Sequence, residues 1–274
     1  MNFTNTRVMN FENAMRGLRN PLESWEKSDS AYCIGYELTY DIDEVVNAWM
    51  EKELDRTQFT DEEYDALFDK YFDWLSEIGT LYASDDCLEV FFIGPKDLNL
   101  AQRMIQAGTS DRKFLRQIMV SVDITAPLYW WKEFDTYKVG TTANSTSTMH
   151  KLASTPITKE CFEMGDFDEN LMIYENSPFS PDICTSEFWT MFINDLETLR
   201  QKYNETKDQR YWKELVRLLP EGWLQTRTVT MNYENLKNMY AQRKHHRLVE
   251  WHTFCDWVKT LPYAYEFITF DLDK

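Results

Sequence analysis

The chain has 274 residues, 43% of them hydrophobic and 15% aromatic, enough to bury a substantial core as one large domain or one domain with an appended subdomain; global disorder is excluded. Its 46 acidic against 29 basic residues leave a formal net charge of −17, which repels a polymeric nucleic acid unless a strong local basic groove intervenes. Cys33, Cys87, Cys161, Cys184 and Cys255 are widely spaced without a Cys-x-x-Cys pair, and no run approaches about 18 apolar residues; a reduced cytoplasmic protein without a zinc site, signal peptide or membrane span is expected.

Residues 1–60 carry the weakest pattern. A short helix is expected over 11–18, a break at Asn20-Pro21, and a strand over 31–40. Val45, Val46, Trp49 and Met50 then give 44–53 helical spacing. Lys27-Ser28-Asp29-Ser30 reads as a loop or cap, with a ligand loop as the alternative. Thr60-Asp61-Glu62-Glu63 opens a helix with acids in its first turn, running to about Ile78 before Gly79. Its Tyr64, Phe68, Tyr71, Phe72 and Leu75 recur at steps of three and four residues and are expected as core contacts.

A β run over 88–93 leads to a helix over 95–107, with Leu98, Leu100, Ala101, Met104 and Ile105 inward, and a strand over 112–124, with Ile118, Val120 and Val122 alternating. Pro127 suits the first turn of a helix over 128–134. Residues 151–184, with Pro156, Pro178 and Pro181, look like a connecting region. Helices are expected over 186–207 and 208–219, the first with a stripe of Phe188, Met191, Phe192, Leu196 and Leu199. A strand over 222–230, helices over 232–246 and 249–261, and an aromatic then acidic tail complete the chain.

Two stretches carry candidate chemistry. From Gly140 to His150 there is no Asp, Glu, Lys or Arg, and seven of the eleven residues are Thr, Ser or Asn. Such a run either turns N–H groups and hydroxyls toward an anion or a planar polar ligand, or is a Ser/Thr-rich surface loop. On the helix over 232–246, Asn232, Asn235, Gln242 and Arg243 fall within about 100° of arc. Asn232 reads equally as a helix N-cap, and Arg243 as a cation near a helix C-terminus, like Lys244, His245, His246 and Arg247.

Read together, Gly94-Pro95-Lys96-Asp97-Leu98, Ala107-Gly108, the strand before Ala126-Pro127, the polar stretch and Thr228-Val229 followed by Asn232, Asn238 and Arg243 resemble the flavin-dependent thymidylate synthases, the ThyX family. The resemblance covers roughly 88–257. Of the family signature, Arg-His-Arg, two residues, Ser, one residue, Asn-Glu, one residue, Ser, one residue, Arg-Tyr, this chain offers Thr142, Asn144, Ser147 and Met149-His150. Asp135 to Val139 occupies the Arg-His-Arg region without an arginine. Asn232, Asn238 and Arg243 keep the family's spacing of six and five residues.

The resemblance implies an α+β fold, a mixed sheet flanked by helices with an additional helical region. It divides the chain into a mainly helical extension over 1–87, a core over 88–261 with a helical insert over about 185–220, and a tail over 262–274. It implies FAD held by Asn144, Asn232 and Asn238, and a pyrimidine mononucleotide, dUMP or a relative, held by Glu133, Ser147, His150 and Arg243. Arg243 would be the catalytic residue in one-carbon transfer to C5, with NADPH and methylenetetrahydrofolate as co-substrates and a homotetramer as the assembly. The alternative is a catalytically inactive nucleotide-binding or protein-interaction module of the same fold, of phage origin. No His-Glu-x-x-His arrangement supports a metal hydrolase.

Overall fold

The computed structural model describes residues 1–34, 38–82, 89–147, 151–176, 178 and 181–272. In chain order the first elements are β1 (Asn2–Met9), α1 (Phe11–Arg19), β2 (Ala31–Ile34), α2 (Leu38–Glu53), α3 (Asp61–Tyr82), β3 (Glu89–Phe92), α4 (Pro95–Ala107) and β4 (Met119–Pro127). They are followed by α5 (Leu128–Phe134), β5 (Thr142–Ser145), β6 (Met172–Tyr174), β7 (Ile183–Cys184), α6 (Thr185–Thr206), α7 (Gln209–Leu218), β8 (Leu224–Asn232), α8 (Tyr233–Arg243) and α9 (Val249–Lys259). A four-stranded sheet has the order β1-β4-β8-β5, and β2 pairs antiparallel with β3. The α+β class expected from the sequence is the one observed.

β4 shows why these residues form a strand. Val120, Val122, Ile124 and Ala126 are fully buried, while Ser121, Asp123 and Thr125 alternate onto the more accessible face. The expected strand over 112–124 begins later, because Phe114 and Leu115, adjacent in sequence, are both buried on a 3-10 turn, which a period of two cannot achieve. β1 escapes the sequence pattern altogether: NFTNTRVM is polar and mostly exposed, as an edge strand can be. Residues 38–40, expected as strand, begin the helix α2, whose Val46, Trp49 and Met50 are buried.

The chain divides into two compact units, one of residues 1–5, 122–138 and 142–229, the other of 6–121, 139–141 and 230–274. In the first, Leu152, Ile157, Phe162, Leu196 and Leu215 form a core with Trp189, Phe192, Leu199 and Trp223 packed on it. The expected stripe on α6 therefore holds at Phe192, Leu196 and Leu199, but Phe188 and Met191 are exposed. The segment over 151–184 is no bare connection, since it supplies Leu152, Ile157 and Phe162 to this core.

Glu197 ties the same core to α6. Its carboxylate accepts from Arg200 Nε and Nη2 at 2.7 and 2.6 Å and from the Ile157 N–H at 2.8 Å. The Arg200 guanidinium holds this carboxyl down, to about 2 from an ordinary 4.5. The stabilisation is present above 4.5 and is lost as pH falls toward 2. Glu197→Gln is thus expected to melt below the wild type near neutral pH, with the gap closing on acidification; a gap independent of pH in thermal melts would refute the assignment.

In the second unit, Phe11 packs edge-on against Tyr233 and Tyr263, with ring centroids 5.7 and 5.4 Å apart, and Phe114 meets Phe267 at 5.7 Å. Tyr263, Phe267 and Ile268 are buried, so the aromatic part of the tail is core. Capping follows the sequence closely at α3, where the Thr60 N–H donates to Glu63 Oε2 and the Glu63 N–H to Thr60 Oγ1. Leu75 on α3 is fully buried, while Tyr64, Phe68, Tyr71 and Phe72 are half-buried. Among the described residues no helix is long and apolar enough to cross a membrane. Cys161 and Cys184 carry free thiols, and Cys87 lies outside the described residues.

Candidate functional site

Asn232 ends β8 and caps α8. Its Oδ1 accepts from the Asn235 N–H at 3.0 Å, and Asn235 Oδ1 accepts from the Asn232 N–H at 3.2 Å, a reciprocal box that satisfies two otherwise unpaired donors. Asn235 Nδ2 donates to the Val139 carbonyl at 2.7 Å, which draws the short segment Val139-Gly140-Thr141 onto the start of the helix. Gly140 has φ +79°, and a Cβ there would lie 3.0 Å from both Asn232 Nδ2 and Asn235 Oδ1. Only glycine combines that backbone with that approach. Gly140→Ala is expected to cost about 1–3 kcal/mol and to loosen the amide pair; an unchanged unfolding midpoint in urea would count against this close fit.

One turn further along α8, Arg112 Nε and Nη2 donate to Glu234 at 2.9 and 3.2 Å, and Nη2 also reaches Asn238 Oδ1 at 3.4 Å. Glu234 is 5% exposed, so the Asn238 amide is oriented by a largely buried ion pair. Neither Arg112 nor Glu234 stood out in the sequence, because 122 residues separate them. At the end of α8 the Arg243 guanidinium lies 4.7 Å from the ring centroid of the fully buried Trp251, whose edge also meets the His246 ring. Asn232, Asn238 and Arg243 therefore share one strand exit and one helix, each with a neighbour that fixes it.

The polar stretch belongs mostly to the other unit. Thr142–Ser145 forms β5, exposed throughout, and Asn144 lies within it. The Thr146 N–H donates to the Thr226 carbonyl at 2.9 Å, and Gln225 Nε2 donates to the Thr146 carbonyl at 3.0 Å. The expected loop is thus an edge strand followed by a segment zipped to β8. Ser147 is half-buried beyond it, and Thr148, Met149 and His150 lie outside the described residues.

Glu133 sits on α5, half-buried, its carbonyl accepting from Thr136. In the same unit Arg227 Nη1 donates to Asp135 at 2.8 Å, its Nε donates to Gln225 Oε1 at 3.0 Å, and its guanidinium lies 4.2 Å over the Trp131 ring. The region where the signature arginines would stand thus carries an acid closed onto a strand cation. Asp123 accepts from Thr228 Oγ1 and Asn5 Nδ2 at 2.5 and 2.7 Å, and these bonds hold its carboxyl below the usual range.

No protein-family model matches the chain, and no curated protein matches its sequence. Solved structures do match. Flavin-dependent thymidylate synthase ThyX from Helicobacter pylori, complexed with FAD and dUMP, is similar over 99% of this chain and 99% of its own, with a TM-score of 0.55 and 13% identity. A second structure of Helicobacter pylori ThyX with FAD and dUMP is similar over 100% of both chains, with a TM-score of 0.56 and 12% identity. The fold is that of ThyX. The ThyX-like α+β fold expected from the resemblance is therefore present. A UMP/dUMP methylase, PolB from Streptomyces cacaoi, bound with 5-Br UMP, is similar over 64% of this chain and 82% of its own, with a TM-score of 0.46 and 14% identity.

Proposed function

We propose that this chain binds FAD and a pyrimidine mononucleotide and transfers a one-carbon unit to C5 of dUMP or a related nucleotide. The observation that carries the reading is the placement of Asn232, Asn238 and Arg243, at the resembled family's spacing, on the strand exit and helix of a ThyX fold. Amides and a guanidinium suit the alternating N–H and C=O edge shared by an isoalloxazine and a pyrimidine, so the residues present fit both rings. They fit a phosphate less well, because Asp135 stands where the signature has arginines and its partner Arg227 is already engaged.

In this reading Asn144, Asn232 and Asn238 hold the flavin, while Glu133, Ser147, His150 and Arg243 hold the nucleotide. Arg243 polarises the pyrimidine ring as charge develops during transfer. FAD, when bound, supplies the redox chemistry, with NADPH as reductant and methylenetetrahydrofolate as one-carbon donor. The closed Asp135–Arg227 pair favours a second reading, a nucleotide-binding module that keeps the fold without the transfer.

Visible absorption of the purified protein before and after addition of FAD, followed by mass spectrometry of dUMP incubated with the co-substrates, separates the two. A flavin band with a C5-modified product is expected. A flavin band without product moves the protein to the second reading. A protein that stays colourless with excess FAD overturns the flavin site.

A further inference from the structure

Within the first unit, one stretch combines exposed apolar side chains with charge of a single sign. Residues 160–199 hold ten Asp or Glu and no Lys, Arg or His, a formal −10 against −17 for the whole chain. The same stretch contains β6 and the residue before it, Leu171-Met172-Ile173-Tyr174, all four 39% to 58% exposed. An antiparallel strand with one solvated face normally alternates apolar with polar side chains. β6 does not alternate, so it presents apolar groups on both of its faces.

The start of α6 extends this surface. The Thr185 N–H donates to the Leu171 carbonyl at 2.8 Å and the Ser186 N–H to the Glu169 carbonyl at 3.1 Å, while Met172 pairs with Cys184 on β7. Phe188 and Met191 follow on α6, about 60° apart around its axis. Both are exposed, although Trp189, Phe192 and Leu196 of the same helix pack into the core. Acids rim the patch: Asp168 and Glu169 precede Leu171, Glu175 follows Tyr174, Asp182 precedes β7 and Glu187 adjoins Phe188, all of them exposed. The Lys159–Glu169 pair, 2.9 Å apart and exposed at both ends, offsets one of these charges.

We propose that this face docks a cationic protein segment whose apolar side chains lie between lysines or arginines. Apolar side chains left in water favour a partner that covers them, and the acidic rim selects the sign of that partner's charge. The rim disfavours the other occupants. A second copy would bring ten further acids against these ten, and an anionic lipid surface or a nucleic acid would be repelled. The surface uses none of the residues assigned to flavin or to the pyrimidine nucleotide.

Fluorescence anisotropy of a labelled synthetic peptide alternating lysine with valine, titrated with the full chain, tests it. This peptide is expected to bind, a peptide alternating lysine with serine to bind at least about tenfold more weakly, and one alternating glutamate with valine not to bind. Met172→Ser/Tyr174→Ser, exposed substitutions checked by circular dichroism for an intact fold, is expected to weaken the lysine–valine peptide at least about tenfold. Glu175→Lys is expected to weaken it about threefold, and Glu205→Lys, an equal change of charge near the far end of α6, to leave it unchanged. No binding by the lysine–valine peptide, equal binding by the lysine–serine peptide, or an equal loss in Glu205→Lys overturns the proposal. Self-association of the chain in sedimentation that Met172→Ser/Tyr174→Ser abolishes overturns it as well, with a second copy as the occupant.

Discussion

Asp97→Ala is expected to destabilise the protein by about 3–5 kcal/mol, the cost of leaving a buried charge without its partner. Asp97 is fully buried and accepts from Arg19 Nε at 2.5 Å, Ser28 Oγ at 2.5 Å and Ser30 Oγ at 2.6 Å. Removing its carboxylate strands the Arg19 guanidinium and two hydroxyls at once. Asp97→Asn keeps an acceptor for the serines but not the counter-charge, and is expected to recover only part of the loss. The double variant Arg19→Leu/Asp97→Leu removes both charges and is expected to lie well above Asp97→Ala in stability. Urea denaturation followed by tryptophan fluorescence measures all three. An Asp97→Ala loss below about 1 kcal/mol, the range of an exposed ion pair, would show that the network contributes little.

Burial pushes the neighbouring Asp29 carboxyl up from its ordinary range, although the Lys96 and Asp97 amides oppose the shift. A raised carboxyl contributes stability below its ordinary pKa that is lost as pH rises through the folded value. The Asp29 carbonyl accepts from Trp49 Nε1 and its carboxylate from the N–H groups of Lys96 and Asp97 at the start of α4. Gly94 permits this contact, since a Cβ there would lie 2.3 Å from the Asp29 carboxyl carbon.

Arg243→Ala is expected to weaken dUMP binding by about 10- to 100-fold, the loss of one charge-assisted contact worth about 1.5–3 kcal/mol, while FAD uptake stays as in the wild type. The side chain is half-buried and lies over Trp251, so its plane is set before any ligand arrives. Arg243→Lys keeps the charge but loses the planar fork, and is expected to restore only part of the affinity. Unchanged affinity of Arg243→Ala for dUMP in calorimetry, with the fold intact by circular dichroism, would remove Arg243 from the nucleotide site.

The local elements were legible in the sequence. Alternation in β4, the Gly94-Pro95 start of α4, the Thr60 to Glu63 capping box and the Asn232 cap are encoded within a few residues, because backbone hydrogen bonds and side-chain periodicity are themselves short in range. The spacing of Asn232, Asn238 and Arg243 lies within one helix and was legible for the same reason, while the ThyX fold was expected from the family resemblance that the motifs carry.

Tertiary structure alone decided the rest. The polar strand β1 has no period to detect, since an edge strand is held by pairing. The tail reads as aromatic and then acidic, and only the folded chain places its Tyr263 and Phe267 in the core around Phe11. Arg19 and Asp97 are 78 residues apart, Arg112 and Glu234 122, and Arg227 and Asp135 92. A buried charge needs a counter-charge or hydrogen-bond partners beside it, and those neighbours are supplied by the folded chain, so what each of these groups does was invisible until the distance through space replaced the distance along the sequence.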